Sequence, residues 1–395
     1  MNPIINSILD TDIYLFSMQS AICKLYPYSL AKYKFINRGK SIFPSNMAEE
    51  LKKQIQYMSK LQLTKEEKDF LKSTCYYLNP VYLDFLSGYR FDPDEVSITQ
   101  ENGELNIEIM GPFYRTILWE TPLMATISEL GFTLDNILIS KNTEQVAKEK
   151  AEKLSSMKIK YADFGTRRRF SQRIQETTLR TMKNVAPKNF FGTSNPDLAR
   201  RIGDDMVVVG TQAHAYTSFH AAKYGYRMAN EMAMESWIDV FGGSLGICLP
   251  DTFTTDVFLQ SFTTKYAKLF DGCRGDSGSP IEFANKIINH YKKLKIDPST
   301  KSIIFSDNLN SYEKIQEILD WHSSLEEKPK ILFCIGTWIS NDVGAKPYNM
   351  VIKLVAAKPN GLEWIETCKL SDTQGKYTGS NSAVELCKKS LGIKD

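Results

Sequence analysis

The sequence predicts an α/β fold. An irregular barrel of parallel strands spans residues 121–355, beside an α+β domain built from residues 1–120 and completed by 356–395. Two observations carry this. Short apolar runs alternate with helix-like segments along the second half of the chain, the pattern of parallel strands joined by crossover helices. Most of these runs also end in small, polar residues instead of clustering them at one switch point, as in barrels whose turns all open on one face. In order the ends are Asp163-Phe164-Gly165-Thr166-Arg167, Gly192-Thr193-Ser194-Asn195, Gly210-Thr211-Gln212-Ala213-His214, Asp251-Thr252, Arg274-Gly275-Asp276-Ser277-Gly278, Ser306-Asp307-Asn308 and Gly336-Thr337. On such a face all seven could line one site.

The first third has a different texture. Thr64-Lys65-Glu66-Glu67 is a capping box that opens a helix through Phe70 and Leu71. Val96 and Ile98, then Leu105, Ile107 and Ile109, alternate with polar residues around Asn102-Gly103, which predicts a hairpin closed by a primed turn. Thr121-Pro122 begins a helix with proline in its first turn. Further on, strands are expected over 206–209, 245–249, 302–305, 331–335 and finally 351–355. Helices are expected over 217–241, 256–270, 280–294 and 311–321. After Pro359 the chain is polar, and Lys369-Leu370-Ser371-Asp372 with Lys376 reads as a loop returning to the first domain.

Composition excludes several function classes. With 395 residues, 42% of them hydrophobic, the chain can bury a sizeable core. A net charge of +3 gives no nucleic-acid footprint. No run approaches the ~20 apolar residues of a membrane span, and the first residues lack the pattern of a signal peptide. Seven cysteines, an odd number without CxxC pairs, fit buried thiols in a reducing, cytoplasmic setting. Cys248, Cys273 and Cys334 lie in apolar runs and read as core. Four dispersed histidines make a zinc site a poor reading.

The polar turns suggest chemistry. In Arg274-Gly275-Asp276-Ser277-Gly278, a carboxylate between glycines can hold two vicinal ribose hydroxyls, while the glycines admit close backbone approach. Arg274 can cover a phosphate or lie on an aromatic ring. Asp307-Asn308 and Gly336-Thr337 close consecutive strands and suit a monophosphate cradle, with Thr337 adding a hydroxyl donor. His214 follows a strand end, and Asp251 ends the next strand. A carboxylate there could fix the imidazole tautomer and leave the other nitrogen as base or nucleophile. His220, His290 and His322 read as structural or surface residues. The Arg167-Arg168-Arg169 triplet follows a glycine turn, where anion binding and a solvated charge patch are both open. Phe164 and Tyr14 are candidate stacking residues for a planar ring.

Taken in order, from Thr11-Asp12-Ile13-Tyr14 to Lys369-Leu370-Ser371, these motifs resemble the nicotinate phosphoribosyltransferase family over almost the whole chain. The resemblance implies a quinolinate phosphoribosyltransferase-like barrel, a homodimer with shared active sites, and the joining of nicotinate to phosphoribosyl pyrophosphate in NAD salvage. It also implies ATP hydrolysis through a phosphohistidine at His214, oriented by Asp251, with Mg²⁺ neutralising the departing pyrophosphate. Phe164 and Tyr14 would sandwich the ring, Tyr14 coming from the partner subunit. Arg167 and Arg274 would meet the carboxylate and phosphates, which arginine does which being open. Asp276 would hold the ribose, and Asp307, Gly336 and Thr337 the phosphate, with Thr211 and Ser277 also binding substrate. Ala215 departs from the polar or acidic neighbour that many relatives carry. The nicotinamide-using relative shares several of these motifs, but Gly192-Thr193-Ser194-Asn195 has no acid near its start to accept from an amide, which favours nicotinate. A catalytically silent nucleotide-binding barrel is the reading from another class, and the combination of His214, Asp251 and Asp276 argues against it.

Overall fold

Local signals set many of the elements. Thr64 accepts from the Glu67 N–H while the Glu67 side chain accepts from the Thr64 N–H, and helix Lys65–Thr74 follows. Asn102 and Gly103 take positive φ (48° and 79°), as a primed turn requires. They join two strands in antiparallel register from Val96↔Ile109 to Glu101↔Glu104. Ser171 caps helix Gln172–Val185, and Ser279 followed by Pro280 starts helix Pro280–Lys293. The computed structural model describes residues 2–203 and 205–394.

In chain order the strands are β1 (Leu30–Asn37), β2 (Val96–Glu101), β3 (Glu104–Pro112), β4 (Tyr161–Asp163), β5 (Phe190–Thr193) and β6 (Val207–Val208). They continue as β7 (Ile247–Cys248), β8 (Gly272–Gly275), β9 (Ser302–Phe305), β10 (Lys330–Ile335), β11 (Met350–Lys358) and β12 (Ile365–Glu366). One sheet has the order β12-β11-β1-β3-β2 and is antiparallel. The other, β6-β5-β4-β10-β9-β8-β7, is the curled parallel sheet of an α/β half-barrel. Its register runs Gly192↔Val207, Cys248↔Cys273, Cys273↔Ile303 and Ile331↔Ile303.

Contacts divide the chain into two compact units, residues 1–23, 31–210 and 335–353, and residues 24–30, 211–334 and 354–395. The first is filled by Phe16, Tyr33, Phe113, Trp119, Tyr161 and Phe190, and the second by Tyr216, Phe219, Trp237, Tyr266 and Tyr291, all fully buried. Cys248, Cys273 and Cys334 are buried, as their apolar runs implied. No helix among the described residues is long and apolar enough to cross a membrane.

Four elements differ from expectation. The 217–241 segment is two helices, His214–Tyr224 and Tyr226–Phe241, parted by Gly225 at φ +82°, a conformation that ends a helix. The 256–270 segment also breaks, into Thr255–Ser261 and Thr264–Leu269. The strand expected over 351–355 runs Met350–Lys358 and pairs antiparallel with β12, outside the parallel sheet. The polar tail contains a helix, Asn381–Leu391, capped by Ser380 and buried on Ala383, Val384 and Cys387.

Candidate active site

In the first unit the turn after β4 is tied at every position. Asp163 is fully buried, and it accepts from Thr193 Oγ (2.8 Å), Gln175 Nε2 (2.8 Å) and the Gly165 N–H (3.0 Å). Burial pushes its carboxyl up to about 6 despite those three donors. The turn packs against the segment after β10. The Phe164 N–H donates to Ile335 O at 2.8 Å, and Ser340 Oγ donates to Gly165 O at 2.8 Å. A β-carbon on Gly165 would lie 2.2 Å from Ser340 Oγ and 2.9 Å from Gly336 O, so only glycine fits. Gly336 and Thr337 thus stand beside the half-buried Phe164.

The arginine triplet divides its work. Arg169 is fully buried on Asp10, so the solvated-patch reading fails for it. Arg168 Nε donates to Met350 O. Arg167 is partly exposed (31%), with its guanidinium 5.9 Å from the Tyr14 ring centroid, 3.5 Å from Asp12 and 3.6 Å from Glu120. Tyr14 is buried, and its hydroxyl donates to Asp12 Oδ2 at 2.9 Å. The same oxygen accepts from Thr121 Oγ, and Asp12 Oδ1 accepts from Ser194 Oγ. Two acids, Asp163 and Asp12, therefore meet the Thr193 and Ser194 hydroxyls of a turn that carries no acid of its own. Three hydroxyls occupy Asp12, and the Arg167 cation stands beside it.

In the second unit the turns after β7 and β8 meet at one histidine. His214 opens helix His214–Tyr224, and its Nε2 lies 2.8 Å from Asp251 Oδ1 and 3.8 Å from Asp276 Oδ2. Asp251 Oδ2 accepts from Ser277 Oγ and from Lys369 Nζ, the latter at 3.0 Å. Burial and then the Lys369 ammonium push His214 down to about 4, outweighing the opposite pull of Asp251 and Asp276. Burial alone would raise the Asp251 carboxyl, but Lys369 and then His214 hold it well below the usual carboxylate range. At neutral pH this places a neutral imidazole against an ionised Asp251.

Arg274 reaches Asp276 Oδ1 (3.1 Å), Ser306 Oγ (3.3 Å) and Gln212 O (3.1 Å). Asp276 keeps 29% of its side chain exposed, so the carboxylate can still reach a ligand. Thr211 Oγ donates to Ile247 O at 3.0 Å. Asp307, half-buried after β9, has its carboxyl raised by burial against the pull of Lys376. Its strand pairs in parallel with β10 from Ser302↔Lys330 to Phe305↔Phe333.

His214, Asp251 and Asp276 bring ligand-type atoms within 4.8 Å of one another. Both Asp251 oxygens already have hydrogen-bonding partners, and His214 Nε2 is engaged with one of them, so His214 and Asp251 form a hydrogen-bonded pair with Asp276 standing 3.8 Å from the same nitrogen. The other histidines are structural. His220 is buried between Tyr216 O, Tyr26 and Ser236, while His290 and His322 bond Phe262 O and Pro329 O.

Sequence reasoning missed the groups that act through distant pairing. Lys369, in a run whose sequence reads as a loop returning to the first domain, sits on Asp251, and Asp372 accepts from Thr255 N and Oγ. The signal available was the Lys369-Leu370-Ser371-Asp372 run itself, a cation and an acid three residues apart in a polar tail. Asp10 and Asp12 in the N-terminal Asp10-Thr11-Asp12 run offered a similar clue to the arginine cluster.

Comparisons with known proteins identify the family. Residues 159–393 match the nicotinate phosphoribosyltransferase (NAPRTase) family, and residues 9–128 match the N-terminal domain of that family. The chain is 47% identical over 390 residues to the nicotinate phosphoribosyltransferase of Desulforapulum autotrophicum, covering 98% of this chain and 99% of that one. It is 45% identical over 395 residues to that of Chromohalobacter salexigens, covering 98% and 99%. The crystal structure of nicotinate phosphoribosyltransferase from Porphyromonas gingivalis superposes with a TM-score of 0.94 at 42% identity, covering 99% of this chain and 100% of that one. The chain belongs to the nicotinate phosphoribosyltransferase family.

Proposed function

We propose that this enzyme, which joins nicotinate to phosphoribosyl pyrophosphate in NAD salvage, couples that reaction to ATP through a phosphoryl group carried on Nδ1 of His214. The observation that carries the reading is the His214–Asp251 contact. With Nε2 committed to Asp251, Nδ1 keeps the lone pair, and burial beside Lys369 keeps the ring neutral at physiological pH. Nδ1 would attack the terminal phosphorus of ATP as ADP leaves, and water would later release phosphate.

The base–ribose transfer needs little proton chemistry. The pyridine nitrogen of nicotinate already has its lone pair, attacks the anomeric carbon, and pyrophosphate departs from the opposite face. Catalysis then rests on holding the partners in line and stabilising an oxocarbenium-like ribose. In this reading Asp276 holds the ribose hydroxyls, with Arg274 and Ser277 beside it. Asp307, Thr211, Gly336 and Thr337 serve the phosphate groups. Phe164 and Tyr14 flank the ring, and Arg167 meets its carboxylate. Charge neutralisation of the departing pyrophosphate would come from Mg²⁺ bound to phosphoribosyl pyrophosphate. By the family resemblance the enzyme is a homodimer with shared active sites, in which Tyr14 comes from the partner subunit. The free cysteines suit a cytoplasmic location.

Incubation with ATP labelled on its terminal phosphate, followed by peptide mapping under alkaline conditions, tests the acceptor. Label on the His214 peptide that is lost in His214→Ala supports the reading, and label on any other residue overturns it.

A further inference from the structure

The Asp251 carboxylate is shared three ways. Oδ1 faces His214 Nε2 at 2.8 Å, while Oδ2 takes the Ser277 hydroxyl and the Lys369 ammonium. None of these groups is open to bulk water, the side chains of His214, Asp251 and Lys369 being 8%, 0% and 13% exposed.

The backbone fixes Lys369 in this place. Lys369 and Thr378 exchange both backbone hydrogen bonds at 2.9 Å, and the Leu370 N–H donates to Thr252 O at 2.8 Å. The Asp372 N–H donates to Ser277 Oγ at 3.0 Å, and its carboxylate accepts from Thr255 N (2.7 Å) and Oγ (2.6 Å). Thr254 and Ser371, which flank that last clasp, are held at φ +74° and +71°, a conformation that side chains with a β-carbon seldom adopt. A strap with several independent anchors, strained at Ser371 and clasping a segment strained at Thr254, puts one cation on one carboxylate oxygen.

Charge balance gives that cation a task. The charged groups around His214 are Asp251, Asp276 and Lys369. Asp276 has Arg274 as its own partner, and the more distant Asp307 has Lys376. Lys369 is thus the lasting positive charge on Asp251. A buried carboxylate deprived of its cation draws a proton onto the nearest base. Here that base is His214, and the proton would occupy Nδ1.

We propose that Lys369 is a positioning residue for His214, and that by neutralising Asp251 through Oδ2 it keeps the imidazole unprotonated at Nδ1, so that this nitrogen can attack phosphorus. The inference rests on the reading of His214 as phosphoryl acceptor.

Labelling of His214 from ATP is to be followed between pH 6 and 9 in the native enzyme, Lys369→Met and Lys369→Arg. The ring protonation of His214 is to be read in the same proteins by NMR, with His214→Gln to assign its signal. The native enzyme and Lys369→Arg should label at nearly constant rate across this range. Lys369→Met should label at least tenfold more slowly at pH 6.5 and regain roughly tenfold per pH unit until the ring deprotonates. Its His214 signal should be that of an imidazolium at pH 6.5. A flat profile in Lys369→Met, whether slow throughout or unchanged, overturns the proposal. Should Lys369→Met fail to fold, the same comparison in Lys369→Gln decides: an imidazolium signal for His214 at pH 6.5 supports the proposal, and a ring as neutral there as in the native enzyme overturns it. Absence of label from the native enzyme would instead defeat the phosphohistidine reading, while the NMR comparison would still decide what Lys369 does to the ring.

Discussion

The Arg169 guanidinium meets the Asp10 carboxylate along both edges, with NH1 at 2.7 Å from Oδ1 and NH2 at 2.8 Å from Oδ2, and neither side chain reaches solvent. The pair joins the residues just after the Asp-Phe-Gly turn to the N-terminal segment, and Asn195 Nδ2 donates to the same Asp10 at 2.8 Å. Removing one partner leaves a buried charge uncompensated. Arg169→Met should therefore lower stability by about 3–5 kcal/mol, read by urea unfolding. A loss under about 1 kcal/mol would mean that the pair contributes little.

Gly165 predicts a rescue. A methyl group there overlaps Ser340, so Gly165→Ala should cost roughly 1–3 kcal/mol and distort the turn that carries Phe164. Adding Ser340→Gly removes the two nearest overlaps and should restore part of the stability, the Gly336 O contact and the lost Ser340–Gly165 hydrogen bond keeping it below the native value. A double variant no better than the single one would show that the strain lies in the backbone and not in this contact.

These features mark how far the sequence could be read. The Thr64 capping box, the Asn102-Gly103 hairpin and β9 were legible because each depends on neighbours in the chain. Gly225 was hidden within an unbroken pattern of small and apolar residues, which a helix would also show. The C-terminal helix was masked by its polar composition, since only Ala383, Val384 and Cys387 face inward. Among the site residues, His214, Asp251 and Asp276 stood at strand ends and could be picked out. Lys369 stood in a recognisable polar run, but which group it pairs with was not legible, because charge pairing across a long stretch of chain leaves no spacing to recognise. The partners of Asp10 and Asp12 were opaque for the same reason.

A pH effect follows from His220, which is buried and pushed down to about 4 by that burial. The unfolded chain takes up this proton near 6.5, above the folded value, so stability is lost as pH falls through that interval. The native protein should lose roughly 2–3 kcal/mol relative to His220→Asn between pH 7.5 and 4.5. A difference between the two that does not vary with pH would contradict a neutral, buried His220.

The two carboxylates near His214 should separate in their effects. Asp276→Ala should lower mononucleotide formation about 10²–10³-fold with or without ATP, as expected for a group that acts on the reacting ribose. Asp251→Ala should chiefly remove the ATP stimulation, by about 10²-fold in the labelling rate, because it orients the acceptor nitrogen. Equal losses in both assays for both variants would mean that the cluster acts as one unit.

The most direct test of the account is mononucleotide formation from phosphoribosyl pyrophosphate and Mg²⁺, with nicotinate or nicotinamide and with or without ATP, in the native enzyme and in His214→Ala. The account predicts turnover with nicotinate alone, stimulated by ATP in the native enzyme and not in the variant. Comparable turnover with nicotinamide, or ATP stimulation that survives His214→Ala, would contradict it.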